Sequence, residues 1–395
     1  MRVWLDLPHN GSNKALTMAE KNTRKKLLIL SAAVGAGHTV AARAILDACR
    51  AEHPELNATW LDSFDFCPKF YSGFYKKLYA TFANRLPHIY GCCYDGLDRG
   101  KRRKNDSRLT EFLDRRLFRK FLRRVEKENP THILATHFQP GDVVSLLKKE
   151  GAIDAVLGVV GCDFYLHSFW ETRGADFYFV STQEVKSVFV ERGFPPEIIH
   201  VTGIPVNPRF SMPFDRRAIL KKLNCRDDSP IVLTIASGWQ KTGTEVTVEA
   251  LMSCGIDMQI LAVAGRNKKS EEKMRALKPP RGVDLHVFGF VDNIHEMMKV
   301  SDVFAAKPGG LATVEALSTG LPIISINPVP GQEVHNCHYV MEQGAGMLAT
   351  KPGSLKYKLK TFLENKELAE RMRERAKAIG RPRAAFDIAD LIAKM

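Results

Sequence analysis

The chain has 395 residues, 45% hydrophobic and 26% charged; this is the balance of a folded globular protein and more chain than one core usually holds, so two domains are expected. No stretch reaches the roughly 18 uncharged apolar residues of a spanning helix, and the N-terminus carries no apolar h-region, so a cytoplasmic protein is expected. The formal net charge of +14 points to phosphate-bearing partners, of nucleic acid or of anionic lipid.

Residues 1–23, with Asp6, Asn10, Gly11, Ser12 and Asn13, read as a polar, disordered tail. Lys25 to Leu30 is a short apolar strand, followed by Ala33-Val34-Gly35-Ala36-Gly37-His38 and a helical stretch from Thr39 to Arg50. Strand, glycine loop and helix in that order form a unit of the doubly wound kind. An aromatic segment follows, with Phe64, Phe66, Phe70, Tyr71, Phe74, Tyr75, Tyr79 and Phe82 interleaved with Lys69, Lys76, Lys77 and Arg85. Tyr71, Tyr75, Leu78 and Phe82 recur as one helical stripe, which suits either core packing or an amphipathic element bedded in a membrane interface. From Arg99 to Lys127 there are 13 Lys or Arg against 4 Asp or Glu. Within that run Phe118, Phe121, Leu122 and Val125 form an apolar stripe, with Arg119, Lys120, Arg123 and Arg124 opposite it. No helix-turn-helix, zinc-finger or RNP-like signature accompanies the charge, so no nucleic-acid partner is expected.

Further strands are expected at His132 to Ala135, Ala155 to Val160 and Phe177 to Val180. Gly203-Ile204-Pro205-Val206-Asn207-Pro208 forbids regular structure and marks a junction. The pattern then restarts with strands at Ile231 to Ile235, Ile260 to Ala264, His286 to Phe288, Val303 to Ala305 and Leu321 to Ile326, alternating with helices such as Leu311 to Ser318. A helix from Glu364 to Ile379 and another from Ala384 to Lys394 close the chain. The expected organisation is a tail over 1–23, a first domain over 24–206, a second over 207–380, and a C-terminal helix within 381–395 returning to the first domain.

Eight cysteines without metal-ligand spacing read as free thiols. Cys92 with Cys93, and His335 with Cys337 and His338, lack the paired spacing of zinc sites. No Asp-x-Asp is present to hold a divalent cation on a diphosphate, since Asp62 and Asp65 stand too far apart. No metal and no other cofactor is therefore expected.

The most specific signal is Lys307-Pro308-Gly309-Gly310-Leu311-Ala312-Thr313-Val314-Glu315-Ala316. Two glycines allow close backbone approach, and the helix that follows offers free N–H groups and its positive end to an anion such as a diphosphate. Thr313 can add a hydroxyl, and the Glu315 carboxylate can accept two ribose hydroxyls.

Together with Gly320-Leu321-Pro322 and Pro328-Val329-Pro330-Gly331-Gln332-Glu333, this block closely resembles the donor site of glycosyltransferase family 28, and the resemblance runs from about Lys25 to about Gly380. Leu28-Ile29-Leu30-Ser31 through His38, Asp163-Phe164 with His167 and Trp170, Thr202-Gly203-Ile204-Pro205, and Pro330-Gly331-Gln332-Glu333 are nearer to the diacylglycerol glycosyltransferase branch. The resemblance implies a GT-B fold: α/β, with two Rossmann-like doubly wound parallel-sheet domains facing across a cleft. It places the ribose on Glu315, the phosphates on Gly309, Gly310 and Thr313, and the uracil at Phe290. It puts the donor-sugar hydroxyls on Gln332 and Glu333, and sets Gly203 and Gly238 on the donor side. Gly37, His167 and Trp170 fall on the acceptor side. Two departures stand out: Ser237 to Gly243 carries Trp239 where relatives are glycine-rich, and Cys162 replaces a common threonine before Asp163.

His38, at a helix start that disfavours the imidazolium, is the candidate general base; an isolated histidine there would more simply cap or pack. Asp163 either orients it or serves as base itself. The implied reaction is inverting transfer of galactose or glucose from UDP-galactose or UDP-glucose to the free hydroxyl of diacylglycerol. It would take place on the cytoplasmic face of a membrane, with anionic lipids as docking partners. Alternatives are another lipid acceptor (a polyprenyl-linked intermediate or an existing glycolipid), a UDP-sugar epimerase, or a sugar-nucleotide sensor.

Overall fold

The computed structural model describes residues 25–33, 36–74, 81, 87–98, 108–172, 174–236 and 244–395. Two six-stranded parallel sheets organise them. The first contains β1 (Leu27–Ser31), β2 (Thr59–Asp62), β3 (His132–Ala135), β4 (Val156–Val160), β5 (Phe177–Val180) and β6 (Ile199–Val201), ordered β2-β1-β3-β4-β5-β6. The second contains β7 (Ile231–Ile235), β8 (Met258–Val263), β9 (Val283–Phe288), β10 (Val303–Ala306), β11 (Ile323–Ile326) and β12 (Gly346–Ala349), ordered β12-β11-β10-β7-β8-β9. This is the α/β, two-domain GT-B architecture that the sequence pattern implies.

Central strands such as LLILS of β1 and MQILAV of β8 are buried along their whole length, because helices cover both faces of each sheet and leave no place for polar alternation. Successive β1 side chains still part company: Leu27 and Ile29 join the core under the Ala36–Glu52 helix, while Leu28 and Leu30 pack with Phe118, Phe121 and Val125. That second cluster settles the Phe118 stripe as core, with Arg119, Lys120, Arg123 and Arg124 exposed opposite it.

Three strands escape the sequence reading, namely β2, β6 and β12. All are sheet edges, where one flank and part of each face meet solvent, so no continuous apolar run is required. The C-terminal region also differs: a break at Asn365 separates helices Pro352–Glu364 and Lys366–Ile379, and the Asn365 side chain caps the second by accepting from the Leu368 N–H at 2.9 Å. The Ala384–Lys394 helix then lies on the Ala36–Glu52 helix of the first sheet, burying Ala385, Phe386, Ile388 and Ile392.

The aromatic segment divides. Phe64 and Tyr71 pack inward, Tyr71 meeting Phe118 edge-on at 5.6 Å, whereas Phe70 and Phe74 are 74% and 64% exposed. Tyr75, Leu78, Tyr79 and Phe82 lie outside the described residues, as do the tail 1–23, Trp239 and Gly238. No described helix is long and apolar enough to cross a membrane.

Candidate active site

The carboxyl ends of the two sheets face each other, and the candidate residues of both halves converge there, where doubly wound folds place their ligands. From the first half come His38, third in the Ala36–Glu52 helix, and the loop after β4 that carries Asp163. The His38 Nδ1 lies 2.9 Å from the Thr136 carbonyl. A carbonyl only accepts, so Nδ1 bears the proton and Nε2 keeps its lone pair. Burial lowers the His38 pKa, against the opposing pull of the Asp163 carboxylate and of the Thr136 bond. The ring is thus neutral and basic in the resting site.

Asp163 is buried and doubly held. Its Oδ2 accepts from Trp170 Nε1 at 3.0 Å and its Oδ1 from Gln332 Nε2 at 2.5 Å. Burial raises its pKa, while His38 and these donors oppose the rise. Asp163 lies close enough for its charge to raise the proton affinity of His38, so a proton arriving on Nε2 meets a stabilising carboxylate. The Cys162 thiol faces the carbonyls of Thr136 and Val160 at 3.5 and 3.6 Å and donates to them.

From the second half come two helices that begin on glycine. Gly309 precedes the Gly310–Ser318 helix and Gly331, at φ +95°, precedes Gln332–Glu342, and neither has a side-chain cap. Elsewhere some helices are capped, by Asp215, Asn267 and Asn365, and others, such as Pro352–Glu364 and Ala384–Lys394, are not. The first N–H groups at Gly310 and Gln332 therefore keep their capacity for an anion. A Cβ on Gly310 would stand 3.2 Å from the Cys162 carbonyl and 3.9 Å from Asp163 Oδ1, and one on Gly37 would stand 3.9 Å from Leu311. The amino end of the Gly310–Ser318 helix thus abuts the loop that carries Cys162 and Asp163.

Within that helix Thr313 is fully buried and its hydroxyl has no partner among the described residues. Glu315 is 9% exposed, and burial pushes its carboxyl up to about 8. The Glu333 carboxylate accepts from the Val329 N–H at 2.8 Å and so pins the Pro-Val-Pro-Gly turn. Phe290 is exposed, with the Arg266 guanidinium 4.9 Å from its ring centroid.

Three expected site residues are engaged with the protein itself. Gly203, at φ +90°, packs on the returning chain, where a Cβ would come within 2.7 Å of Arg381 Cβ; its requirement is steric. His167 has both ring nitrogens committed to backbone, Nε2 with the Tyr94 carbonyl at 2.9 Å and Nδ1 with the Phe169 N–H at 3.1 Å, so it shapes the loop and has no nitrogen left for a ligand. Trp170 is buried and acts through Asp163.

The structure adds contacts that the sequence pattern does not disclose. Tyr165 stacks on His335 at 4.0 Å and Phe164 on Tyr339 at 4.4 Å, joining the two halves across the cleft. The Tyr165 hydroxyl donates to Asp98 at 2.7 Å, and Asp98 and Glu171 enclose the buried Arg192 guanidinium. His137 meets His38 edge-on at 4.6 Å. Among the described residues no group of three or more His, Cys, Asp or Glu is placed to hold a metal ion.

Residues 38–206 match the family Monogalactosyldiacylglycerol (MGDG) synthase, and residues 215–379 match Glycosyl transferases group 1. The processive diacylglycerol beta-glucosyltransferase of Bacillus mycoides (strain KBAB4) is 31% identical over 368 residues, 93% of each chain. Among solved structures, Acinetobacter baumannii MurG superposes with a TM-score of 0.59 at 15% identity, covering 94% of this chain and 100% of that one. A putative UDP-N-acetylglucosamine 2-epimerase from Listeria monocytogenes gives 0.63 at 18% identity, covering 94% and 96%. At those identities the likeness is one of fold.

Proposed function

The chain belongs to the diacylglycerol glycosyltransferase branch of glycosyltransferase family 28, and we propose that it moves glucose or galactose from a UDP-sugar to the free hydroxyl of diacylglycerol, with inversion, at a membrane surface. The observation that carries the reading is the approach of the uncapped helix end at Gly310 to Cys162 and Asp163, beside His38. A nucleotide diphosphate bound at that end sets its sugar next to a neutral imidazole with a free Nε2 lone pair.

In the proposed reaction His38 Nε2 takes the proton of the acceptor hydroxyl as its oxygen attacks the anomeric carbon, and UDP departs from the opposite face. Asp163 steadies the imidazolium that forms. Negative charge gathers on the leaving diphosphate, where the N–H groups at Gly310 and the Thr313 hydroxyl receive it without a metal ion. Glu315 accepts the ribose hydroxyls, and Gln332 and Glu333 face the donor sugar. The exposed Phe70 and Phe74, with the exposed Arg119, Lys120, Arg123 and Arg124, suit docking on an anionic bilayer, aromatics at the acyl boundary and cations at the phosphates.

Liposomes containing diacylglycerol, incubated with UDP-glucose or UDP-galactose in parallel and with or without a chelator, test the reading. Glycolipid from at least one donor, insensitive to chelator, is expected. His38→Ala should lower turnover by about 10²-fold or more, the scale of a lost general base, at unchanged UDP affinity. Absence of product with both donors rejects the assignment, and parallel loss of UDP binding in the variant makes His38 structural.

A further inference from the structure

We propose that His137 is an acceptor-binding residue whose Nε2–H donates a hydrogen bond to the ester carbonyl next to the reacting hydroxyl of the acceptor lipid. The inference rests on the assignment of His38 as base, and it follows from the opposite tautomers of two touching rings.

His137 ends the turn between β3 and the Phe138–Lys149 helix and serves as that helix's cap: its Nδ1 accepts from the Gln139 N–H at 3.1 Å. The lone pair is thereby used on Nδ1. Burial keeps the ring neutral, so its one proton resides on Nε2. Among the described residues nothing accepts from that Nε2–H. His38 is the mirror case, with Nδ1–H spent on the Thr136 carbonyl and Nε2 left as an acceptor. The rings meet edge-on with centroids 4.6 Å apart.

One ring of the pair therefore takes a proton and the other gives a hydrogen bond. A lone hydroxyl could answer both only by accepting on the very oxygen that attacks, which would draw electron density from the nucleophile. A diacylglycerol satisfies both, because the carbon beside its free hydroxymethyl group bears an ester whose carbonyl is an acceptor without a donor of its own. The same turn holds a second donor in want of a partner: Gln139 Nε2 is buried and unpaired among the described residues, while its Oε1 accepts from Ser63 Oγ at 2.9 Å. Buried donors are almost always paired in folded proteins, so the buried, unpaired Gln139 amide, on the same turn as the unspent His137 Nε2–H beside the proposed base, marks the place of an oxygen-bearing ligand. Phe138, stacked on His137 at 4.2 Å and on Phe169 at 5.0 Å, supplies an apolar wall beside it.

The experiment compares a diacylglycerol with the matching dialkylglycerol, which keeps the hydroxyl and the chains but has ether oxygens and no carbonyl. The parent enzyme should use the ester about tenfold better in kcat/KM, the scale of one hydrogen bond. In His137→Asn the shorter amide oxygen still caps the helix, but the distal donor is gone. The ester rate should fall about tenfold to the ether rate, which stays put, with UDP-glucose binding and melting temperature unchanged. His137→Gln carries an amide N–H near the position of Nε2 and should restore part of the preference. Equal use of both lipids by the parent enzyme, or an equal fall for both in His137→Asn, overturns the inference while leaving the proposed function intact. Failure of the parent enzyme to glycosylate either lipid sinks both.

Discussion

Glu315 gives opposing signatures in stability and in binding, and Glu315→Gln separates them. In the folded chain burial pushes this carboxyl up to about 8 from an ordinary value of 4.5. The folded state thus holds the proton more tightly than the unfolded state. With more protons bound when folded, stability falls as pH rises from 4.5 towards 8 and levels off above 8. At 1.36 kcal/mol per unit the deficit is under about 1 kcal/mol at pH 5 and approaches about 4 kcal/mol at pH 8. Glutamine has the same shape and no charge to desolvate, so it removes the deficit. Urea unfolding of parent and variant at pH 5 and pH 8 should show a gain confined to the higher pH. Titration with UDP-glucose, whose diphosphate is esterified at both ends, should show the variant binding at least about tenfold more weakly, as expected when two hydrogen bonds lose their charged partner. A stability gain equal at the two pH values, or donor affinity untouched by the substitution, would refute the argument that Glu315 is a strained carboxylate held for ribose.

Gly91→Ala tests cleft closure: its Cβ would fall 2.6 Å from Pro330 Cβ in the opposite half, while alanine favours the helix it sits in. Transfer should drop by about 10²-fold, the scale of a small misplacement of reacting groups, with melting temperature retained; normal kcat/KM would show that the halves need not meet there. His53 bridges Asp390 at 2.6 Å and Glu55 at 2.9 Å, which raises its pKa. Its clamp on the C-terminal helix is therefore complete below the unfolded value near 6.5 and is lost as pH rises through the folded value. Hydrogen exchange over 384–394 should be faster in His53→Ala than in the parent at pH 6, with the difference closing by pH 9; a pH-independent difference contradicts the clamp. Replacing Arg119, Lys120, Arg123 and Arg124 by Gln should weaken cosedimentation with anionic vesicles by tenfold or more, at about 1 kcal/mol per cation near the surface. Unaltered cosedimentation would place the docking surface elsewhere.

What the sequence discloses follows burial. Central strands such as β1, β5 and β10 are buried on both faces and so must be apolar without interruption, which makes them plain in one dimension. The edge strands β2 (TWLD), β6 (IHV) and β12 (GMLA) are short and half-wet, and nothing local distinguishes them from loops. The site divides in the same way. The Gly310–Ser318 helix is legible because its glycines, hydroxyl and carboxylate lie within about two turns of each other. His137 is not, because a histidine after a strand looks like any cap until the tautomer of its neighbour is known. Tyr165 and His335 are 170 positions apart, and only the closed cleft makes them a pair. His167 shows the converse: its placement beside Asp163 and Trp170 suggests a ligand contact, and its nitrogens turn out to be occupied by backbone.

The polar groups left unmatched in the cleft make a coherent set. Thr313 lacks an acceptor, Gly309 and Gly331 leave helix ends without side-chain caps, and Gln139 keeps an unused amide donor; Glu315 has a carboxyl that its surroundings discourage from ionising. Each arrangement costs free energy in the empty protein. On the proposed function a nucleotide diphosphate and a glyceride would answer them separately: phosphate oxygens for Thr313 and the helix ends, ribose hydroxyls for Glu315, and ester oxygens for the turn at His137. Thr313 is fully buried with the halves in contact, so on that proposal the donor would reach it through an opened cleft. Closure over a bound donor would then return Gly310 to Cys162 and Asp163 to Gln332. Catalytic geometry and ligand occupancy would thereby be one equilibrium, in which the energy withheld from the empty fold is released when both substrates are in place.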